Sequence, residues 1–357
     1  MISIVIPSHN SEKTIEKTIK SVLNQDYTKR YEVLVIDSSK DRTPEIVSKY
    51  PVKLIRQKPK GPSAARNLGV KKAKGGIVVF IDADCIAPKN WLKNLVKLFS
   101  NKEIAAVAGG YRVKNKESLV ARFANHEINE RHERMNKLKK IDFVGSFNCA
   151  YRKKIFQKFG GFDTKFIQAE DADLSFRVSE KNRMVFEPSA PVYHYHPDSL
   201  LKYLRQKFWR GHWKIFLYAR HKKKRLGSTY TPPTLSFQML FTSLFAIFLL
   251  LGIIGTNVHV AETVPPTGGV SAVWTGWLSA ISVSSVLFLS ISLVCIVLVL
   301  LMNTRFIDFL LRKEPKILFA AIPIIFLRNT VVIIGGGYGL MKLIKKEGVV
   351  GLGHKKG

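Results

Sequence analysis

Two long stretches without a charged residue limit what this chain can fold into. Residues 234–255 read TLSFQMLFTSLFAIFLLLGIIG, and residues 277–302 read WLSAISVSSVLFLSISLVCIVLVLLM. About 20 consecutive apolar residues are enough to cross the hydrocarbon core of a bilayer as an α-helix. The sequence therefore predicts two transmembrane helices in the C-terminal half of the chain.

A third apolar segment, residues 317–341, is less regular. It contains Pro323, has Arg328 near its middle, and carries three consecutive glycines at 335–337. These interruptions leave two alternatives open, because the segment can be a single span that contains an arginine or a helix that doubles back.

The distribution of Lys and Arg predicts which side of the membrane each part occupies. Residues 256–273 contain no Lys or Arg, whereas residues 305–316 and the stretch before the first apolar segment are basic. Basic residues concentrate on the cytoplasmic side of membrane proteins. We therefore expect a multi-pass protein of the cell membrane, with its N-terminal domain in the cytoplasm and residues 256–273 outside.

The strongly basic composition narrows the classes of partner. The chain has 57 Lys and Arg against 26 Asp and Glu, a formal net charge of +31. Such a charge suits nucleic acid, anionic lipid or a phosphorylated substrate. Because the chain also contains membrane-length apolar segments, we expect the charge to serve the membrane and phosphate groups, and no nucleic-acid partner.

A basic and aromatic segment precedes the first apolar stretch. Residues 201–225, LKYLRQKFWRGHWKIFLYARHKKKR, contain no acid and place large apolar side chains near helical spacing. This pattern predicts a helix at the membrane surface, with a charged helix packed on its own domain as the alternative. The predicted division is a catalytic domain over 1–200, an interfacial helix over 201–230 and a membrane domain over 231–357.

The first 200 residues alternate short β-branched runs with helical patterns. The runs ISIVIP, YEVLVID, VKLIR and GIVVFID are separated by amphipathic segments. This order predicts an α/β fold with a mostly parallel sheet and helices on both faces. Ligands of such sheets bind at the carboxyl ends of the strands. The polar or turn residues that follow the strands are Pro7, Ser8, Asn10, Asp37, Asp82 and Asp84.

The sequence VVFIDADC places Asp82 and Asp84 at the end of a buried strand. Two carboxylates this close repel each other unless a cation bridges them or they share a proton. A hard divalent cation such as Mg²⁺ or Mn²⁺ takes oxygen ligands and leaves positions open for phosphate oxygens. The pair therefore predicts a Mg²⁺ or Mn²⁺ site, with an ordinary strand-end turn as the alternative.

Six motifs together resemble one enzyme family. VIPSHN, VIDSSKDRT, GPSAARNLGVKKAKGG, the DAD triplet, GGFDTKFIQAEDADL and PVYHYHP follow one another in the order and spacing of family 2 glycosyltransferases. These are inverting enzymes that use nucleotide-sugar donors and have a GT-A fold, which is Rossmann-like. The resemblance covers roughly residues 1–210 and does not extend to the apolar segments.

The resemblance implies a role for each matching residue. The nucleotide of the donor would be bound by Pro7, Ser8, Asn10, Asp37, Arg66 and Asp82. The metal would be held by Asp84, with Asp82 and His196 as further ligand candidates and His194 as a weaker one. Asp171, in the ED of QAEDADL, matches the general base that deprotonates the acceptor hydroxyl, with Glu170 beside it.

Inverting transfer from a nucleotide diphosphate needs a base on one side of the sugar and charge stabilisation of the leaving group on the other. Glu170, Asp171 and Asp173 would supply the first, because clustered carboxylates can raise one pKa towards neutral. The alternative for this cluster is an acidic helix N-terminus that the macrodipole favours.

The acceptor side is predicted from position along the chain. Asn148 and Arg152 in GSFNCAYRKK are candidates for the acceptor-side wall, together with Asp173, Arg205 and Arg210. A lipid phosphate would be attracted to the arginines of the basic segment. RQKFWRGHW is similar to the QxxRW motif of processive family members, but the last two residues are exchanged, which favours a single transfer.

These observations predict a membrane-bound, metal-dependent transferase that moves a sugar from a UDP- or GDP-linked donor to a lipid-linked saccharide or glycolipid. The alternative is a synthase that glycosylates polyprenyl phosphate directly. Two readings from other classes are a nucleotidyltransferase, whose early Gly-rich, Arg-containing loop is missing after VIPSHN, and a catalytically inactive membrane scaffold.

Overall fold

The computed structural model of the protein describes residues 1–225, 227–263 and 283–345. The chain forms two compact units. The first comprises Met1–Pro232 together with the described chain from Ile334 onward, and the second comprises Pro233–Ile333.

The first unit alternates strands and helices from its first residues. Its elements in chain order are β1 (Ile2–Ser8), α1 (Ile15–Leu23), β2 (Tyr31–Asp37), α2 (Thr43–Ser48), β3 (Lys53–Arg56), α3 (Gly61–Lys72), β4 (Ile77–Ile81), β5 (Cys85–Ile86), α4 (Trp91–Val96), β6 (Ile104–Val113), α5 (Leu119–Asn136), β7 (Asn148–Arg152), α6 (Lys153–Lys158), α7 (Glu170–Ser179), β8 (Arg183–His194) and α8 (Leu200–Arg220).

The strands form one mixed sheet in the order β3-β2-β1-β4-β7-β6-β8-β5. The first four strands in this order pair in parallel, as the sequence predicts. β7 runs antiparallel to both β4 and β6, and β8 then pairs in parallel with β6. The sheet is therefore less uniformly parallel than expected, because β7 enters from the opposite direction.

Helices cover both faces of the sheet, which confirms the predicted α/β arrangement. Side chains alternate between the faces along each strand. Ile4 and Val79 face a cluster that includes residues of α1 and α4, such as Trp91. Val5 and Phe80 face the other cluster, which includes residues of α3, α6 and α7.

α8 is the helix predicted for the basic and aromatic segment. Its apolar face packs in the first unit, where Trp213 and Phe216 join a buried cluster with Phe143 and Phe176. Ser199 is the N-cap of the helix, because its side chain accepts a hydrogen bond from the backbone N–H of Lys202. One face of α8 thus packs on its own domain, and contact of the helix with a membrane remains a prediction.

The second unit is helical. Its elements are α9 (Thr234–Thr263), α10 (Val283–Met302), α11 (Thr304–Lys313) and the greater part of α12 (Leu318–Ile344). Three segments are long and apolar enough to cross a membrane by length and composition, and they are Thr234–Ile254, Ser285–Met302 and Pro315–Ile344. Residues 277–282 of the second predicted span and 264–273 of the predicted outer loop lie outside the described residues.

In the second unit, the start of α9 lies beside the end of α10. α9 and α10 pack antiparallel, since Phe248 lies against Phe288 and the side chain of Gln238 donates a hydrogen bond to the carbonyl of Met302. α12 continues as a helix through Pro323 and through the glycines at 335–337. The segment is thus one continuous helix, and whether it spans the membrane or returns to the side it came from stays a prediction.

Candidate active site

A cleft of about 300 Å³ opens in the first unit beyond the carboxyl end of β4. α5, α7, α8 and the end of β8 contribute to its walls. The polar side chains that line it include Arg66, Asp82, Arg131, Ser146, Glu170, Asp171, His194, His196, Lys207 and Arg210. The cleft therefore brings together residues from motifs that are more than 100 positions apart in the sequence.

Arg66 connects the two acidic groups of the cleft. Its guanidinium donates to Asp82 at 2.6 Å and to Glu170 at 3.1 Å. Burial alone would favour the neutral form of Arg66, but the two carboxylates hold the pKa of its guanidinium above the usual value. Arg66 is thus a permanently charged residue between the strand end and the first turn of α7.

Asp84 lies against His194, which is the residue where β8 ends. The Asp84 carboxylate is 3.3 Å from Nε2 of His194, and with the thiol of Cys85 their ligand atoms all lie within 4.8 Å of one another. Burial raises the pKa of the Cys85 thiol well above its usual range, and a thiol is a soft ligand that hard cations such as Mg²⁺ and Mn²⁺ do not favour. The carboxylate and imidazole remain as donors; the carboxylate suits Mn²⁺ or Mg²⁺, whereas an imidazole is a ligand that transition metals favour over Mg²⁺.

His196 lines the same cleft but is not part of this ligand group. Its ring centroid is 4.9 Å from that of His194, and its buried Nε2 has no hydrogen-bond partner among the described residues. Burial, followed by the neighbouring His194, lowers the pKa of His196 to about 3, so its ring is neutral. A neutral imidazole can bind a metal, and a role for His196 as a ligand remains a prediction.

α7 begins abruptly at the edge of the cleft. Ala169, directly before it, has φ of 67°, in the left-handed region. The turn directs Glu170 and Asp171 of the first helical turn into the cleft. Asp171 accepts hydrogen bonds from the backbone N–H of Ala172 at 2.8 Å and of Ser146 at 3.4 Å. Its carboxylate has no ion-pair partner among the described residues.

Both carboxyls of this helical turn have raised pKa values. Burial, followed by the charge of Asp171, raises the pKa of Glu170 to about 7, although Arg66 opposes the shift. Burial also raises the pKa of Asp171, and the N–H groups of Ala172 and Ser146 reduce the shift. A carboxyl with a pKa near neutrality can accept a proton at physiological pH and release it again.

The predicted nucleotide residues lie at the carboxyl ends of β1 and β2, beside the cleft. The Asp37 carboxylate is fully buried, forms an ion pair with Arg56 and accepts a hydrogen bond from Ser39. Asn10 has φ of 49° and accepts a hydrogen bond from the N–H of Lys40. These contacts tie the two strand ends into one surface.

Pro7 and Ser8 complete this surface at the end of β1. The hydroxyl of Ser8 is buried and lacks a hydrogen-bond partner among the described residues, while its carbonyl accepts from the N–H of Ser38 at 3.0 Å. A donor nucleotide bound here could satisfy that hydroxyl.

Two predicted acceptor-side residues do not reach the cleft. Asn148 is fully buried, accepts a hydrogen bond from the indole of Trp91 and donates to two backbone carbonyls. Arg152 pairs in register with Ile77, at the opposite end of β4 from Asp82, and donates to backbone carbonyls there. Both side chains support the sheet, so these two predictions do not hold.

Asp173 and Arg205, which the sequence also predicts on the acceptor side, do not line the cleft either. The Asp173 carboxylate is fully buried between Arg177, Arg220 and His221, where it connects α7 to the end of α8. Arg205 is exposed and does not line the cleft, whereas Arg210 on the same helix does. Helical spacing explains the difference, since five residues rotate the side chain to another face.

Arg131 on α5 is a cleft residue that no motif indicates. Its guanidinium lies 5.1 Å from the ring centre of Phe143 and 5.9 Å from that of Tyr230, and its Nε is buried without a hydrogen-bond partner. Burial lowers the pKa of Arg131 to about 10, where it is still charged at neutral pH. Neither Arg131 nor Arg210 forms an ion pair with a carboxylate of the described residues.

Comparisons with known proteins agree with the motifs. Residues 3–160 match the family described as Glycosyl transferase family 2. Over 190 residues the chain is 30% identical to an Escherichia coli protein named UDP-Glc:alpha-D-GlcNAc-diphosphoundecaprenol beta-1,3-glucosyltransferase WfgD, covering 52% of this chain and 72% of WfgD. The chain belongs to glycosyltransferase family 2.

Another relative is the probable glycosyltransferase YdaM of Bacillus subtilis. It is 32% identical over 250 residues, which cover 63% of this chain and 59% of YdaM. The chain therefore spans about six tenths of the length of this relative. Among solved structures, the mannosyltransferase PcManGT from Pyrobaculum calidifontis, in complex with GDP-Man and Mn²⁺, aligns with a TM-score of 0.57 at 17% identity. That alignment covers 94% of this chain and 87% of PcManGT, and it confirms the GT-A fold.

Proposed function

We propose that this family 2 chain is a membrane-bound, inverting glycosyltransferase that moves a sugar from a UDP- or GDP-linked donor to a lipid-linked saccharide or glycolipid. The observation that carries the proposal is that one cleft is lined both by His194, which lies 3.3 Å from Asp84, and by Asp171 at the start of α7. A displacement that inverts the anomeric carbon needs a base for the acceptor and charge stabilisation for the leaving group within one site.

The donor side would hold the nucleotide and its diphosphate. Pro7, Ser8, Asn10 and Asp37 form the surface for the nucleobase and ribose, and Asp84 with His194 would hold a divalent cation. When bound, Mn²⁺ or Mg²⁺ would neutralise the charge that develops on the departing diphosphate. Arg66 holds the Asp82 carboxylate at 2.6 Å beside this position.

Asp171 is the proposed general base. It would take the proton from the acceptor hydroxyl while that oxygen forms its bond to the anomeric carbon and the bond to the nucleotide diphosphate breaks. Glu170 is bound by Arg66, whereas Asp171 accepts hydrogen bonds from backbone N–H groups and has no cation within ion-pair distance among the described residues. Asp171 is therefore better placed than Glu170 to accept a proton from the acceptor.

The lipid-linked character of the acceptor rests on two arginines that line the cleft. Arg131 and Arg210 bring two guanidinium groups without carboxylate partners into the cleft, beside Trp213 and Tyr230. Guanidinium groups bind phosphate oxygens in bidentate fashion, and aromatic rings suit the faces of sugar rings. WfgD, by its name, uses an acceptor carried on diphosphoundecaprenol, which supports an acceptor of the same class.

A polyprenyl phosphate that is glycosylated directly is the second candidate acceptor, because Arg131 and Arg210 would bind its phosphate as hydrogen-bond donors. The apolar helices of the second unit support a location at the cell membrane, with the catalytic domain in the cytoplasm.

The proposal is tested with the purified protein in lipid nanodiscs. UDP- and GDP-sugars would be combined with Mn²⁺ and with either polyprenyl-diphosphate-linked saccharides or polyprenyl phosphate, and transfer would be measured by mass spectrometry. Asp171→Asn should retain Mn²⁺-dependent nucleotide binding and lose transfer by about 10²-fold or more. Glu180→Gln, an exposed neighbour just after α7, is the matched control.

Undiminished transfer by Asp171→Asn would reassign the base. Absence of Mn²⁺-dependent nucleotide binding by the unmodified chain would contradict the transferase function itself. Transfer to polyprenyl phosphate but not to the diphosphate-linked saccharides would establish the second candidate.

A further inference from the structure

A short segment after α8 forms part of the cleft wall. This segment, residues 228–231, which we call the strap, lies near the end of the first unit. The N–H of Ser228 donates to the carbonyl of Thr231 at 2.9 Å, and the N–H of Thr231 donates to the hydroxyl of Ser228 at 2.9 Å. Tyr230 of the strap lines the same cleft as Asp171. The strap thus brings into the site a residue that lies outside all six sequence motifs.

One carboxylate holds the strap against the chain between α5 and β7. Oδ1 of Asp142 accepts hydrogen bonds from the N–H of Thr229 at 2.8 Å and from the Thr229 hydroxyl at 2.6 Å. The N–H of Asp142 donates in return to that hydroxyl at 3.2 Å, and Oδ2 accepts from the ammonium of Lys224 at 2.6 Å. Hydrogen bonds to a carboxylate are stronger than those between neutral groups. Asp142 therefore fixes the strap through both of its carboxylate oxygens and its backbone.

The neighbours of these two residues are in contact with each other. Phe143 follows Asp142, and Tyr230 follows Thr229. The ring centres of Phe143 and Tyr230 are 4.6 Å apart, and the guanidinium of Arg131 lies 5.9 Å from the Tyr230 ring centre. Asp142 itself does not line the cleft, whereas Phe143, Tyr230 and Arg131 do. The position of the Tyr230 ring therefore depends on a hydrogen-bonded contact one residue away on each segment.

Tyr230 is close enough to the proposed base to be affected by its charge. Burial, followed by the charge of Asp171, raises the pKa of the Tyr230 phenol, so the hydroxyl is protonated at neutral pH and can donate a hydrogen bond. An aromatic ring with a polar end suits a sugar, which has both an apolar face and hydroxyl groups. Because Asp171 must contact the acceptor hydroxyl from which it takes a proton, Tyr230 is suited to the acceptor side.

We infer that the strap is part of the acceptor-binding site, where Tyr230 contacts a sugar ring of the acceptor, and that Asp142 is a positioning residue that acts through Thr229. The inference rests on the proposed function and adds to it a contact surface for the acceptor saccharide. A polyprenyl phosphate has no sugar ring for Tyr230 to contact. The strap therefore favours a lipid-linked saccharide over direct glycosylation of polyprenyl phosphate.

Acceptor kinetics in lipid nanodiscs test the role of Tyr230. The probes are undecaprenyl-diphosphate-linked N-acetylglucosamine and, as an acceptor without a sugar, undecaprenyl phosphate. Tyr230→Ala should raise the KM for the saccharide acceptor about tenfold or more, because the ring that orients it is lost. Mn²⁺-dependent nucleotide binding should stay unchanged. Lys140→Gln, an exposed change two residues before Asp142, is the control and should alter neither quantity.

Thr229 offers a matched pair of substitutions. Thr229→Ser keeps the hydroxyl that bonds to Asp142, whereas Thr229→Val replaces this hydroxyl with a methyl group of similar size. We expect Thr229→Val to raise the acceptor KM and Thr229→Ser to remain close to the unmodified chain. Thermal unfolding midpoints and nucleotide binding, measured in parallel, separate this effect from a general loss of folding. Equal acceptor KM values for the two variants would contradict the role of the hydroxyl.

A double-mutant cycle tests whether Asp142 acts through Tyr230. Asp142→Ala alone should raise the acceptor KM. Added to Tyr230→Ala, it should change the acceptor KM by less than about twofold, because the ring that it positions is already absent. The same factor in both backgrounds would overturn the positioning role, since Asp142 would then act independently of Tyr230.

Two results would overturn the acceptor-site inference while leaving the transferase function in place. One is an unchanged acceptor KM in Tyr230→Ala, and the other is transfer by the unmodified chain to undecaprenyl phosphate alone. Failure of the unmodified chain to transfer a sugar to either acceptor would instead contradict the proposed function on which the inference rests.

Discussion

The guanidinium of Arg66 binds the carboxylate of Asp82 at 2.6 Å while the arginine side chain is only 4% exposed. The same guanidinium reaches Glu170, which is 104 positions later in the sequence. One buried cation therefore links the acidic strand end of the donor side to the helical turn that carries the proposed base. A substitution of Arg66 should therefore affect both the strand end at Asp82 and the start of α7 at Glu170.

Arg66→Met should destabilise the protein strongly. Two carboxylates would lose their partner in a poorly solvated site, a change that costs roughly 3–5 kcal/mol. We expect a clear fall in the thermal unfolding midpoint, measured in detergent. Lys71→Met, an exposed change on the same helix, should leave the midpoint unchanged. The double change Arg66→Met with Glu170→Gln should recover part of the loss, and equal midpoints for Arg66→Met and the unmodified protein would refute the linkage.

Transfer activity should rise with pH through neutrality. Because burial raises the pKa of both carboxyls, Glu170 to about 7, the folded protein keeps a proton on this pair at acidic pH. Protonation of this pair as the pH falls then removes the ionised carboxylate that accepts the proton, and kcat/KM should fall with it. Glu170→Gln removes one carboxylate, so the inflection should change position. An inflection of kcat/KM near pH 4 in the unmodified protein would contradict the raised pKa values of these carboxyls.

Mn²⁺-dependent nucleotide binding should distinguish the two histidines. Asp84→Asn and His194→Ala each remove one of two groups that lie 3.3 Å apart, and each should weaken Mn²⁺ binding by more than about tenfold. His196→Ala should weaken it less, since His196 is outside that ligand group. Isothermal titration with Mn²⁺ in the presence of UDP or GDP gives the three affinities. A larger loss for His196→Ala than for His194→Ala would assign the ligand to His196.

Asp173→Asn should destabilise the fold and alter its acid sensitivity. Although burial opposes ionisation, the hydrogen bond with His221 and the charges of Arg177 and Arg220 lower the pKa of Asp173 to about 2. Its contribution, on the order of 2 kcal/mol, is present above the usual pKa of about 4 and is lost as pH falls towards 2.

The measurement is the unfolding midpoint between pH 2 and 7. The difference between Asp173→Asn and the unmodified protein should shrink as the pH decreases. A constant difference over this range would show that the ionised carboxylate is not what stabilises the contact between α7 and α8.

Local patterns in the sequence were sufficient for the elements that depend on neighbouring residues. The alternation around Ile4 and Val79 predicts buried strands, and Asp84 follows a strand as expected. The apolar segments predict helices of membrane length, because hydrophobicity along a helix is a property of the segment itself. The family resemblance added the roles proposed for Asp171 and Arg66.

Other features depend on residues that are distant in the sequence. The antiparallel entry of β7 places Arg152 away from the cleft, and the contacts of α8 remove Asp173 from solvent. Arg131 faces the cleft only because α5 packs beside Phe143 and Tyr230. Nothing local to these residues determines such positions.

The sequence alone determined the α/β alternation, the acid pair after β4 and the helices that are long enough to cross a membrane. Each of these depends on the pattern of residues that are close together in the sequence. Tertiary structure alone decided that His194 meets Asp84 and that Arg66 joins Asp82 to Glu170. These outcomes depend on which side chains meet after the chain has packed, and burial and charge compensation at those meeting points set the chemistry of the cleft.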